Sequence, residues 1–181
     1  MQLFPPYADT LLRGALAAIA GGVVLVPTAL FAVERSPYVA QTKDERDQPV
    51  KFDHRHHVRD DGIACLYCHD GARRDRFAGV PDAATCMGCH DQIWTDNPEL
   101  RPVRDAVASG RPIAWTRVDD LPDHVFFHHG VHVQRGVECT ECHGRVDLMP
   151  QVYAVNAMTM SWCLDCHRAR GASTSCSTCH R

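Results

Sequence analysis

Residues 14–33 carry no charge and read G-A-L-A-A-I-A-G-G-V-V-L-V-P-T-A-L-F-A-V. Twenty such residues in a helix span about 30 Å, the thickness of a bilayer's hydrocarbon core. Pro27 would kink this helix, which membrane helices tolerate. A cleaved signal peptide is the competing reading, but the run is long and no small-x-small cleavage pattern closes it. The expectation is a retained, single-pass transmembrane anchor at 14–33. A cytoplasmic N-terminus at 1–13 precedes it, with Arg13 as slender support from the positive-inside rule. Residues 34–51 are polar, contain Pro37 and Pro49, and read as a linker. Beyond residue 52 no apolar period persists for more than a few turns. Asn97-Pro98-Glu99 opens a short helix, Leu100, Val103 and Val107 fall at helical spacing, and Gly110 suits its end. Residues 113–118 and 151–155 read as short strands.

Ten cysteines change this picture, because each falls in a Cys-x-x-Cys-His motif. The motifs are Cys65/Cys68/His69, Cys86/Cys89/His90, Cys139/Cys142/His143, Cys163/Cys166/His167 and Cys176/Cys179/His180. This is the attachment signal for c-type haem: two thiols bond to the haem vinyl groups and the histidine becomes an axial iron ligand. Zinc ribbons and disulfide frameworks also pair cysteines, but neither requires a histidine after every pair. Five covalent haems are therefore expected. Attachment of such haem occurs outside the bacterial inner membrane, which puts residues 52–181 on the periplasmic side.

Two segments upstream of motifs resemble each other. Phe52, His54, His57, Val58 and Gly62 match Phe127, His129, His132, Val133 and Gly136, with one extra residue between Val58 and Gly62. The chain thus holds an internal repeat, about 52–95 and about 127–170, each copy carrying two motifs. Histidines at i and i+3 share a helix face, so His54, His57, His129 and His132 are expected to be distal ligands of four haems. His56 and His128 lie outside the pattern and are left out of the ligand set. The fifth distal ligand is open between Met149, Met160, Met158 and His124, with Met149 preferred.

One haem per about 26 residues leaves too little protein for a regular core around each group. The haems themselves become the core, with Trp94, Trp115 and Trp162 packed against them. Enough ligands exist to close every iron, which suits an electron carrier better than a haem enzyme needing an open coordination position. Net charge is -3 and gives no argument for nucleic acid. Of 19 basic residues only Lys43 and Lys51 are lysine. Arginine suits the haem propionates, although a coding bias would give the same count.

The phrases T-C-M-G-C-H-D-Q-I-W, L-P-D-H-V-F-F-H-H-G-V-H, C-H-G-R-V-D-L-M-P, M-S-W-C-L-D-C-H-R and C-S-T-C-H-R resemble the pentahaem cytochrome c subunit of alternative complex III, over about 52–181. The resemblance implies a cytochrome c3/c7-like fold of few short helices and mostly loops around packed haems. It implies a place in a quinol-oxidising respiratory or photosynthetic complex, beside integral membrane subunits and an iron–sulfur (molybdopterin-like) subunit. Electrons would pass to a periplasmic cytochrome, copper protein or oxidase. A multihaem quinol dehydrogenase acting on its own is the alternative.

Overall fold

The computed structural model describes residues 5–180, in two compact units, Met1–Gln41 and Thr42–Arg181. The cytoplasmic stretch expected at 1–13 therefore begins in four residues that lie outside the described ones.

In the first unit, helix α1 covers Ala8–Glu34 and is longer at both ends than the uncharged run. An Asp9–Arg13 ion pair at 3.0 Å extends its first turns. Pro27 lies inside it and removes one backbone donor. The Thr28 hydroxyl donates to the Val24 carbonyl at 2.7 Å, adding a donor beside that gap. None of its described side chains is buried. By length and composition α1 could cross a membrane. A single turn, α2 (Pro37–Ala40), follows and ends in left-handed Gln41.

The second unit is built from short helices and loops, with no strand among the described residues. The strands expected at 113–118 and 151–155 are absent. In the first of these the Gln48 side chain stands in for a neighbouring strand. Its amide donates to the Thr116 carbonyl at 2.9 Å and its oxygen accepts from the Thr116 N–H at 3.0 Å. The extended backbone is satisfied without a ladder. The expected helix does form: Asn97 caps a 3-10 turn, Pro98–Leu100, that runs into α5, Arg101–Ser109, and Gly110 ends it at φ 64°.

Buried apolar side chains are few. Val50, Leu100 and Val103 form one cluster, joined by Met87, Ile113 and Trp115. Ala72, Met149 and Ala154 complete the buried hydrophobic set among the described residues. So small a core falls short of what a domain of this length ordinarily buries.

The repeat is visible as structure. The first copy has a π-helical turn, Arg55–Asp60, then α3 (Cys65–Cys68), a 3-10 turn at Asp70–Arg73 and α4 (Ala83–His90). The second has α6 (His129–Gln134), α7 (Cys139–His143), a 3-10 turn at Val146–Leu148 and α8 (Met160–Ala169). The fifth motif forms α9, Cys176–Cys179. The copies interlock: α6 packs on the 3-10 turn of the first copy, and the π turn packs on the 3-10 turn of the second. At the first contact Gly130 is required. A Cβ there would lie 2.8 Å from the Arg74 carbonyl carbon. The Gly130 and His129 N–H groups donate to the carbonyls of Asp75 and Arg76.

Candidate haem centres

Each motif sits on a short helix, and α4, α7 and α8 have side-chain caps at their starts. Asp82 caps α4 by accepting from the Thr85 N–H at 2.8 Å, and Thr159 caps α8 by accepting from the Trp162 N–H at 3.3 Å. Glu138 and Glu141 form a capping box on α7. One helical turn brings the two cysteines of each motif, three residues apart, to the same side. All ten cysteines are free and at least partly exposed, as thioether attachment requires. Among the described residues no three His, Cys, Asp or Glu side chains converge on a metal-ion site, which does not suit a four-ligand zinc ribbon.

The histidine rings give the sharper test of fit. With a metal–imidazole bond of about 2.0 Å and about 1.1 Å from nitrogen to ring centre, two imidazoles on opposite sides of one iron have centroids about 6.2 Å apart. His57 and His90 are 6.2 Å apart, His129 and His143 6.3 Å, and His132 and His167 6.2 Å. His124 and His180 are 5.7 Å apart. His54 is close enough to His69 for their charges to interact. Every motif histidine thus has a second histidine beside it, and His124 is the one that the repeat does not supply. Met149 is 4% exposed and fills the core, while Met160 opens α8 and is exposed.

Ring orientation is set at the other nitrogen. The Nδ1 atoms of His57 and His132 bond to the carbonyls of Asp53 and His128, four residues back, at 3.1 and 2.9 Å. Those of His69, His90, His129, His167 and His180 bond to the carbonyls of Gly79, Ile93, Arg76, Ser173 and His124. His143 differs, bonding to the Asp119 carboxylate at 2.9 Å. In all eight rings this leaves Nε2 as the nitrogen available to a metal. Burial, aided by the charges of His69 and His57, pushes His54 down to about 4, and burial also lowers His129. Burial thus favours the neutral form of both rings, the form that ligates.

The two histidines outside the repeat pattern have other surroundings. His56 stacks on Trp94 at 5.9 Å and faces Asp60 and Asp61. His128 caps α6, with its own Nδ1 buried and without a partner. It serves His132 through its backbone carbonyl, as Asp53 serves His57, so its side chain is free to differ between copies.

The cysteines reveal the order of the sites. Burial is the first cause raising the thiols of Cys86, Cys139, Cys142 and Cys163, and the second cause at each is a cysteine of a neighbouring motif. Those neighbours are Cys68, Cys65, Cys166 and Cys179 in turn. Counted along the chain, the motifs therefore adjoin in the order second, first, third, fourth, fifth.

Cys89, like Cys65, Cys139 and Cys176, is exposed, whereas Cys86 of the same motif is partly buried. The Cys89 carbonyl accepts from the N–H groups of Gln92 and Ile93, at 2.9 and 3.1 Å. That turn ends α4 and leads to the Ile93 carbonyl that holds His90.

Comparison with known proteins agrees with this geometry. Residues 125–181 match the family model described as cytochrome c7 and related cytochrome c. The chain is also similar to the multiheme cytochrome c subunit of menaquinone reductase from Nitratidesulfovibrio vulgaris, 39% identical over 100 residues. That match takes in 55% of this chain and 47% of the relative, so the chain spans about half the length of the curated relative it matches. The fold is cytochrome c7-like, of short helices and loops, with one N-terminal apolar helix, and a likeness to cytochromes c implies covalently bound c-type haem.

Proposed function

We propose that this protein is the membrane-anchored, five-haem electron-transfer subunit of a quinone oxidoreductase complex. The observation that carries the reading is the five histidine pairs, four of them with ring centroids between 5.7 and 6.3 Å. Bound at these sites, c-type haem supplies one-electron transfer. The ten motif cysteines hold the groups, and His69, His90, His143, His167 and His180 approach one face. His54, His57, His129, His132 and His124 approach the other. His124 thus takes the place expected of Met149. Two histidines at each site would hold the group from both sides, which suits an electron carrier better than an enzyme that binds a small substrate at iron. Histidines three apart on one segment, His54/His57 and His129/His132, tie adjacent sites together, and the contact between the copies joins the two halves of the row. Its ends lie at His57/His90 and at His124/His180.

Two observations support the quinone-linked role. One is the set of phrases shared with the pentahaem subunit of alternative complex III. The other is the likeness to the menaquinone reductase cytochrome. In this reading α1 (Ala8–Glu34) crosses the inner membrane and the haems lie on the periplasmic side. One end of the row exchanges electrons with an iron–sulfur subunit, the other with a periplasmic cytochrome, copper protein or oxidase. The direction is from quinol toward the periplasmic partner. The menaquinone reductase relative favours the opposite direction as a second reading.

A pyridine haemochrome assay on the purified chain should give five c-type haems, all low-spin, with no carbon monoxide binding after reduction. A carbon monoxide difference spectrum from any site would overturn closed ligation. In the intact complex, menaquinol should reduce the haems. Reduction only by a periplasmic donor would reverse the direction, and menaquinol oxidation by this chain alone would make it a dehydrogenase in its own right.

A further inference from the structure

We infer that Asp119 is a tuning residue that makes the His129/His143 site the lowest-potential site in the row; this rests on the ligand pairing proposed above. The argument begins with what the ligand rings touch. Seven histidines of the set bond through Nδ1 to neutral backbone carbonyls. The Nδ1 of His143 alone among them meets a carboxylate, Asp119 Oδ2 at 2.9 Å. The Asp119 side chain is 23% exposed and that of His143 36%, so solvent only partly screens the pair.

A carboxylate accepting from the outer N–H of a ligating imidazole raises the basicity of the inner nitrogen. The ring then donates more strongly to iron and favours the oxidised, more positive state, which lowers the reduction potential. A carbonyl does the same more weakly, because it bears no net charge. At the opposite extreme, His54 Nδ1 is buried with no partner at all, so that ring receives no such support. The first site thus has one supported ring, His69 on the Gly79 carbonyl, where the third has two, one of them on a carboxylate.

Asp119 comes from the connection between the copies. In the first copy the matching histidine, His69, has only the Gly79 carbonyl, at 2.7 Å. The connection therefore breaks the symmetry of the duplicated sites at one atom.

Asp119→Asn keeps an oxygen that can accept from Nδ1 and removes the charge. The His129 and His143 rings are 7° from parallel, against 62° and 50° for the His57/His90 and His132/His167 pairs, while His124/His180 at 21° is the other near-parallel pair. Near-parallel imidazoles give a rhombic low-spin EPR signal, and crossed ones a highly anisotropic signal. In an EPR-monitored redox titration of the haem-loaded chain, the lowest-potential rhombic component should move positive in Asp119→Asn. The anisotropic signals should stay in place. Asp120→Asn, beside it and paired with Arg117, should move no signal comparably. A titration of Asp119→Asn that superimposes on the wild type, or an equal shift of every component, would overturn the inference. Five low-spin haems in the wild type with no such shift would remove the tuning role and leave the pairing standing, whereas a failed haem count or ligation state would remove the pairing itself.

Discussion

The first copy's segment, residues 52–69, and the second copy's, residues 127–143, present their histidines almost identically while building them on different helices. Phe52 stacks on His57 at 4.3 Å and 25°, and Phe127 on His132 at 4.5 Å and 26°. The same phenylalanines meet His54 and His129 edge-on at 4.7 and 4.8 Å. Yet the first segment is a π turn and the second an α-helix. The Ile63 N–H reaches back six residues to the His57 carbonyl, while the Val137 N–H reaches back five to that of His132. The extra residue of the first copy is absorbed after the histidines, where a wider turn costs nothing at the rings. What the duplication keeps is the relation of one phenylalanine to two imidazoles. What it lets go is the backbone beyond them and the Nδ1 partners of His54, His69, His129 and His143.

The strongest way to break the likeness is at Gly130, whose counterpart is Arg55. Gly130→Leu drives a side chain into the Arg74 backbone, where even a Cβ comes within 2.8 Å. Overpacking of this kind costs about 1–3 kcal/mol. It should also displace His129 and His132 together, with two haems losing low-spin character and the thermal unfolding midpoint falling. Arg55→Leu should do much less, because Arg55 is partly exposed and pairs with nearby Asp53. Equal damage from both substitutions would mean that the two interlocking contacts are alike after all.

Single ligand removals come next in size. His57→Ala and His132→Ala should each turn one haem high-spin without loss of covalent attachment, read by absorption and EPR. The affected groups should be those on Cys86/Cys89 and Cys163/Cys166, the motifs of the partner rings His90 and His167. Unchanged spectra in both variants would sink the distal assignment. His124→Ala should do the same at the fifth motif and Met149→Leu should not.

The attachment motifs and the repeat were legible in the sequence because covalent haem demands a fixed local spacing, and local spacing is what a sequence displays. The four histidines proposed as distal ligands were picked out from the repeat, in which each copy supports the other. His124 could be named only as one of several candidates, because it reaches His180 across 56 residues and no repeat marks it. Its one signal was that it is a spare histidine in a chain where nearly all histidines have a ligand's surroundings. Asp119 gave no signal, being one carboxylate among many in the connection. The strands at 113–118 and 151–155 were misread because extended, β-branched sequence records a preference for extension, and the Gln48 side chain met that preference at Thr116. The order of the motifs depends on which cysteines meet across the two copies. Spacing along the chain carries no trace of that.

Gly62 and Gly136 offer a finer comparison. Both close their segments in the left-handed region, at φ 71° and 73°, and nothing lies within 4 Å of a Cβ built on either. Alanine would therefore meet backbone strain alone, about 1–2 kcal/mol at each position. Chemical denaturation should report nearly equal losses for Gly62→Ala and Gly136→Ala, with haem spectra unchanged. A marked difference would show that one of these turns is held more tightly by its surroundings than the other.

The smallest effect should come from making the two segments equal in length. Deleting Asp60 leaves five residues from His57 to the residue now following the glycine, as from His132 to Val137. The π turn can then close as α6 does. Asp60 meets Arg59 and, at 3.9 Å, His56, none of which faces another motif's histidine. Both ligand histidines precede the deleted residue, and the contacts of Phe52 with His54 and His57 lie on the untouched side. All five haems should therefore stay attached and low-spin, with little change in unfolding midpoint. If the His54/His69 or His57/His90 site instead lost its low-spin signal, the extra residue would be what spaces the first copy's rings. The close match in phenylalanine geometry would then be a result of the π turn, reached in the second copy by another route.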